Sequence, residues 1–227
     1  MVVRPRYSWD ELIPVEETYA AAEFLVSTWY LISRADPDNF TFRKHEPKLT
    51  ELLAMNLKRL IANSGLTGFW QNEDQEPYPD EQNQIRRIKN DIKYLSNASS
   101  IRIELTFEFK KLTQSSLSTY RSDKGMRRFV DGNYAKKMPL AVMVGIIKDD
   151  PTVIADKLYK SLSIPAIRSE LQMVHDSKGN YIRRPSDVLR DIAEFDTEHR
   201  RPSDKAPKNG TTTIAHILVT CPKQSYA

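Results

Sequence analysis

Residues 101–112, IRIELTFEFKKL, decide the fold. Apolar and polar side chains alternate along this stretch without interruption, so one face of a β-strand collects the apolar set and the other the polar set. The apolar set is Ile101, Ile103, Leu105, Phe107 and Phe109, and the polar set is Arg102, Glu104, Thr106, Glu108 and Lys110. The pattern predicts a strand with one face in the core.

Elements on either side of this strand extend the prediction. Upstream, the spaced apolar residues of 84–95 predict a second strand, residues 96–100 a turn, and the polar, acidic residues 71–83 a loop. Downstream, residues 122–137 predict a helix with Met126, Phe129, Val130 and Tyr134 on one side. Residues 140–147 are apolar on both faces, as expected of a central strand.

The two ends of the chain supply further elements. Residues 15–33 and 47–64 predict helices from their apolar spacing, with Pro47 and Gly65 suited to the start and stop of the second. Residues 150–162 predict a helix, 166–174 and 181–184 a hairpin, 198–210 a basic loop, and 211–220 a last strand. We therefore expect one α/β domain over residues 1–227, with N-terminal helices in 15–64, a catalytic core in about 84–220, and helices flanking a central mixed sheet.

Composition narrows the function classes. The chain has 227 residues, 40% hydrophobic and 28% charged, with a net charge of +4, which permits contact with phosphates without predicting it. The apolar run 140–147 is too short to span a bilayer, the N-terminus lacks a signal-peptide stretch, and Cys221 is the single cysteine, so we expect a cytoplasmic protein. Four histidines and one cysteine do not form a zinc motif, and neither a glycine-rich phosphate loop nor a serine nucleophile motif is present.

The triplet Glu108-Phe109-Lys110 carries the chemistry. Residues two apart on a strand share a face, so the carboxylate and the ammonium lie side by side while Phe109 faces the core. Asp91, on the preceding predicted strand, comes beside Glu108 if the two strands form a hairpin. Paired carboxylates are the ligands that Mg²⁺ prefers, and a lysine there offsets charge on a phosphate. The alternative is a solvated strand face with surface ion pairs.

This pattern, Asn90-Asp91 followed by Glu108-Phe109-Lys110, resembles the restriction-endonuclease-like PD-(D/E)XK nuclease superfamily, in particular small prokaryotic members. The resemblance covers about residues 45–220 and implies a core with a four-stranded mixed sheet and DNA cleavage with Mg²⁺, for which Mn²⁺ is a possible substitute. It implies Asp91, Glu108 and Lys110 as catalytic residues, and Asp91, Glu108 and Glu46 as metal ligands. The sequence departs from the pattern because Asn90 stands where proline is expected; a literal Pro79-Asp80 offers Asp80 instead.

Several side chains have two interpretations. Glu46 is either a metal ligand or a residue that caps its helix before Pro47. Arg121, Lys124, Arg127 and His216 are predicted to contact nucleic acid; a solvated basic face, and for His216 a buried hydrogen-bonded histidine, are the alternatives. Arg128 is predicted to point away from the site.

The expected function is a Mg²⁺-dependent endonuclease acting on DNA, in prokaryotic anti-phage defence or restriction, with RNA left open as a substrate. Expected partners are DNA and a second copy of the chain or a larger defence assembly, with no membrane. The alternative is a non-catalytic module on a nuclease-like fold that binds nucleic acid or protein.

Overall fold

A computed structural model describes residues 8–79, 85–148 and 150–221, and for residues 73–79 and 85–91 it describes the backbone alone. Within these ranges, eight strands form one sheet in the order β1-β2-β3-β4-β8-β7-β5, and β6 also pairs with β7. The strands are β1 (Phe69–Pro79), β2 (Ile85–Ser96), β3 (Ile103–Leu112), β4 (Leu140–Ile147), β5 (Met173–Val174), β6 (Ile182–Arg183), β7 (Phe195–Arg200) and β8 (Thr211–Thr220). β3, β4 and β8 are parallel, and the other pairings are antiparallel, so the sheet is mixed and open.

Helices cover both faces of this sheet, which confirms the predicted α/β class. They are α1 (Trp9–Leu12), α2 (Val15–Ala35), α3 (Glu46–Leu60), continued by a 3-10 turn at Ile61–Asn63, α4 (Leu117–Arg121), α5 (Met126–Val130), α6 (Pro151–Leu162) and α7 (Pro165–Glu170). The apolar residues of α2 and α3 pack on one face in a core that includes Phe107 and Phe109, and those of α5 and α6 pack on the other face with Met143. None of the helices in the described ranges is long and apolar enough to cross a membrane.

The predicted strand at residues 101–112 is confirmed as β3, and its partner β4 is buried at every residue. Phe109 is fully buried, and its ring lies 6.1 Å from the ring of Trp29 on α2. β4 is paired in parallel with β3 and β8, and β3 is paired with β2 and β4, so each of the two strands is held by side-chain packing and by two backbone ladders. β3 and β4 therefore form a rigid base for any group that projects from them.

The loop predicted for residues 71–83 is wrong, since β1 extends from Phe69 to Pro79 and pairs with β2 along its length, from Phe69↔Leu95 to Pro79↔Ile85. Residues 80–83 lie outside the described ranges. β1 is the edge strand of the sheet, where backbone hydrogen bonds to one neighbour are sufficient and polar residues or proline are tolerated. Side-chain pattern alone therefore did not reveal it.

The continuous helix predicted for residues 122–137 is also wrong. α5 has only five residues, because Gly125 precedes it in a non-helical conformation and Gly132 follows at φ 65°. Ala135 and Lys137 then adopt left-handed backbone angles of 48° and 61°. The burial prediction was correct nonetheless: Met126, Phe129, Val130 and Tyr134 all lie in the same core.

The hairpin predicted around residues 176–180 is wrong as well. Residues 165–170 form α7, and the short strands β5 and β6 each pair with β7 instead of with each other. β7 begins at Phe195 and includes residues predicted as a loop. The last predicted strand, residues 211–220, is confirmed as β8.

Candidate active site

Glu108 and Lys110 project from the same face of β3, as the alternation predicts. Glu108 is 1% exposed, and the Nζ atom of Lys110 lies 2.8 Å from its Oε1 atom. In the parallel partner strand, Glu108 pairs with Met143 and Lys110 with Gly145. The alternative interpretation, a solvated strand face, is excluded for Glu108 because its side chain is almost completely buried. A carboxylate this buried requires cationic partners.

Glu46 joins this pair from a distant part of the chain. It is the first residue of α3, and its Oε1 atom lies 2.9 Å from Lys110 Nζ. Its Oε2 atom accepts a hydrogen bond of 2.9 Å from the backbone N–H of Lys111. The carboxylate is thus bound to β3, and the N-cap residue His45 makes no side-chain capping bond. Two carboxylates from different elements meet at one lysine.

Arg128 is a fourth member that the sequence interpretation missed. Its Nη1 atom lies 3.2 Å from Glu108 Oε1, so the prediction that it points away is wrong. The same guanidinium lies 4.9 Å from the ring centroid of Tyr134 and donates to the Tyr134 hydroxyl, while Nε donates to the carbonyl of Asp123. The helical wheel drawn over residues 122–137 failed because α5 is so short. Gly125 and Gly132 were the signal that could have limited that helix.

For Asp91, the third predicted carboxylate, the structure describes the backbone alone. Asp91 belongs to β2, and the pairing of β2 with β3 begins one residue later, at Ile92↔Phe107. Phe107 in turn precedes Glu108, so the backbone register agrees with the predicted hairpin. The Asp91 side chain and all of Asp80 lie outside the described residues, and the choice between these two aspartates stays a prediction.

The cluster Glu46, Glu108, Lys110 and Arg128 combines two negative and two positive side chains. Carboxylate oxygens are the hard donors that Mg²⁺ takes, typically one or two from protein with water and phosphate completing its shell. Glu46 and Glu108 fit that requirement. The Lys110 ammonium group is bound to one oxygen of each carboxylate, so a cation that uses those same oxygens has to displace it. Among the side chains that the structure describes, no three acidic, histidine or cysteine residues form a metal-binding group.

The predicted nucleic-acid residues are distributed differently. Arg127 pairs at the surface with Glu170 at 3.2 Å and with Asp131 at 3.5 Å. Lys124 is exposed, and Arg121 is half-buried with its Nε donating to the carbonyl of Leu117. Contacts of these three side chains with nucleic acid stay predictions. For Arg127, such a contact requires that the side chain leave its surface ion pairs, which are weak.

His216 is fully buried in β8, so a nucleic-acid contact by this side chain is wrong for this structure, and the hydrogen-bonded alternative holds. Its Nδ1 atom lies 2.9 Å from the Tyr120 hydroxyl and its Nε2 atom 2.9 Å from Thr197 Oγ1. Thr197 Oγ1 also lies 2.8 Å from Nε2 of His199, whose Nδ1 lies 2.7 Å from the carbonyl oxygen of Leu171. Solvent does not reach this hydrogen-bond chain, because both imidazole rings are completely buried.

The Leu171 carbonyl at the end of this hydrogen-bond chain fixes which group donates in each of its hydrogen bonds. The Leu171 carbonyl can only accept, so His199 donates from Nδ1, and its neutral ring accepts at Nε2 from Thr197. Thr197 then accepts from His216 Nε2–H, and His216 accepts from Tyr120. Burial lowers the pKa of His199 to about 4 and that of His216 well below its ordinary value, consistent with two neutral rings.

No family model, curated protein or solved structure matches this chain. Its relation to the PD-(D/E)XK nucleases therefore stays a resemblance of the motif residues. Any functional assignment depends on the side chains around Glu108.

Proposed function

We propose that the protein is a metal-dependent nuclease that hydrolyses phosphodiester bonds in DNA. One observation carries the proposal: the Lys110 ammonium group lies 2.8 Å from Glu108, which is on the same strand β3, and 2.9 Å from Glu46, which begins helix α3. A buried carboxylate, a second carboxylate and a lysine in one cluster are the groups needed to bind a divalent cation beside a phosphate.

Each residue has a separate role in this proposal. Glu108 and Glu46 bind the cation, with Asp91 as the proposed third ligand, and the bound Mg²⁺ or Mn²⁺ supplies the polarisation of the phosphate and the activation of water. Lys110 moves from the carboxylates to the phosphate, where it offsets the negative charge that grows on the phosphoryl oxygens. Arg128, 33% exposed and directed at Glu108, contacts another oxygen of the same phosphate.

The test is a cleavage assay on single-stranded and duplex DNA and RNA with Mg²⁺ or Mn²⁺, with and without EDTA. The parent should cut DNA only with the metal, and Glu108→Gln should lower the rate by about a hundredfold or more. Glu46→Gln should lower the rate and raise the Mn²⁺ concentration needed for half-maximal activity. Glu51→Gln, an exposed glutamate of the same helix, is the matched control and should cut like the parent.

The proposal fails if Glu108→Gln cuts as well as the parent, or if cutting survives EDTA. Salt-sensitive binding of DNA without metal-dependent cleavage would favour the alternative, a binding module that uses this cluster only as buried ion pairs. We further propose that the nuclease acts in the cytoplasm, in anti-phage defence or restriction, as a homo-oligomer or within a larger assembly. Light scattering tests the assembly.

A further inference from the structure

Arg201, which follows β7, is a buried cation with an unusual set of partners. It is 7% exposed, and its guanidinium group donates to the backbone carbonyls of Tyr134 and Ala135, the former at 3.1 Å. Burial lowers the pKa of Arg201 to about 10, so the group remains charged at neutral pH. A buried charge is costly unless hydrogen bonds compensate it, and here peptide carbonyls accept from the Nη1 and Nη2 atoms.

The segment that receives these bonds, residues 131–138, has an uncommon backbone. Ala135 and Lys137 adopt left-handed angles of 48° and 61°, which cost about 1–2 kcal/mol each for residues with a side chain. Lys205 holds the same segment, since its Nζ donates to the carbonyl of Asp131 and its own carbonyl accepts from the N–H of Lys137. Such strain persists only where neighbouring groups over-determine the conformation, and it concentrates at functional sites.

Tyr134 connects this segment to the Glu108 cluster. The carbonyl of Tyr134 is bound by Arg201, while its hydroxyl accepts from Arg128 and its ring lies under the Arg128 guanidinium at 4.9 Å. The ring is 3% exposed and packs edge-on against Phe129 at 5.7 Å. A tyrosine fixed at its backbone, its ring and its hydroxyl has little freedom, so it limits where the Arg128 guanidinium can lie.

We propose that Arg201 is a positioning residue, which fixes the backbone of residues 131–138 so that Tyr134 holds Arg128 over Glu108. This inference rests on the proposed nuclease function for its kinetic consequence only. A displacement of about 1 Å in a group that contacts the reacting phosphate can lower a rate by about a hundredfold, whereas the affinity for long DNA depends on many dispersed phosphate contacts. Loss of Arg201 should therefore change kcat more than KM.

Three variants and one control test this role by kinetics. Arg201→Met should lower kcat for DNA cleavage by about tenfold or more and leave KM within about twofold, and Arg201→Lys should recover part of that loss because it retains a buried donor. Arg200→Met changes the exposed neighbouring arginine and should behave like the parent. Tyr134→Phe removes only the hydroxyl and should lower kcat in the same way as Arg201→Met.

A second readout does not require cleavage. The Nε–H group of Arg128 donates to the carbonyl of Asp123 at 3.0 Å, so its NMR signal should be resolved and slow to exchange in the parent, and its absence in Arg128→Lys assigns it. The signal should move toward that of a solvated arginine in Arg201→Met and in Tyr134→Phe, but not in Arg200→Met.

The outcomes separate the two proposals. If the parent does not cut DNA, the proposed function fails, and the Arg128 signal alone decides the role of Arg201. If Arg201→Met does not fold, Arg201→Lys decides and should shift the Arg128 signal part of the way, because Tyr134→Phe tests only the contact between Tyr134 and Arg128. The inference is overturned if either folded variant retains the parental Arg128 signal, or if Arg201→Met raises KM while kcat is unchanged.

Discussion

The buried imidazole of His199 should make the protein lose stability on mild acidification. Its pKa is lowered from the ordinary 6.5 to about 4, mainly by burial, whereas in the unfolded chain the ring titrates near 6.5. The unfolded state therefore binds the proton first as pH falls. The contribution of His199 to stability is complete above about pH 6.5 and is lost progressively down to about pH 4.

The magnitude follows from the difference between these two pKa values. Between pH 7 and pH 5 the unfolded state becomes almost fully protonated while the folded state stays neutral, which lowers the free energy of unfolding by about 2 kcal/mol. His199→Asn removes this effect. The amide of asparagine can still donate to the Leu171 carbonyl, but Thr197 loses an acceptor, at a cost of about 1–3 kcal/mol at pH 7.

Urea unfolding at pH 7, 6 and 5 measures both quantities. His199→Asn should be less stable than the parent at pH 7, and the gap should narrow by about 2 kcal/mol at pH 5. Comparison with the parent cancels titrating groups that do not interact with His199, including Asp196, whose pKa is raised by burial and whose effect has the opposite sign. His175→Asn, at an exposed site, is the control and should leave the slope unchanged. Parallel curves for His199→Asn and the parent would refute the reasoning.

Further predictions concern the site, the strand β3 that carries it and the buried histidines. Phe109→Ala should lower the free energy of unfolding by about 3–5 kcal/mol in urea titration, because Phe109 is fully buried, whereas Phe69→Ala at 57% exposure should change it little. Lys110→Met should bind Mn²⁺ more tightly than the parent in calorimetry yet cut DNA far more slowly; weaker Mn²⁺ binding would contradict the competition inferred for its ammonium group. Long-range ¹H–¹⁵N spectra should show a protonated Nε2 in His216, and a protonated Nδ1 would reverse the hydrogen-bond chain.

Local pattern predicted the part of the site that lies within one strand. A β-strand has a side-chain period of two, so Glu108 and Lys110 had to share a face and Phe109 had to face the opposite one. The same reasoning correctly predicted β4 from its continuous apolar run, since a central parallel strand is buried on both sides. The reasoning failed for β1, because an edge strand can be held by backbone hydrogen bonds to one neighbour without an alternation of apolar and polar residues in its sequence.

The sequence by itself thus determined the α/β class, the strand β3 and the pair Glu108 and Lys110. The resemblance had implied Glu46 as a metal ligand, but only the tertiary structure showed its contact with Lys110 across 64 residues of chain, and only it turned Arg128 toward Glu108 instead of into solvent. The physical reason is the range of the interactions. Periodicity records which face of an element is buried, whereas contacts between elements depend on how helices and loops cross the sheet, which no local spacing encodes.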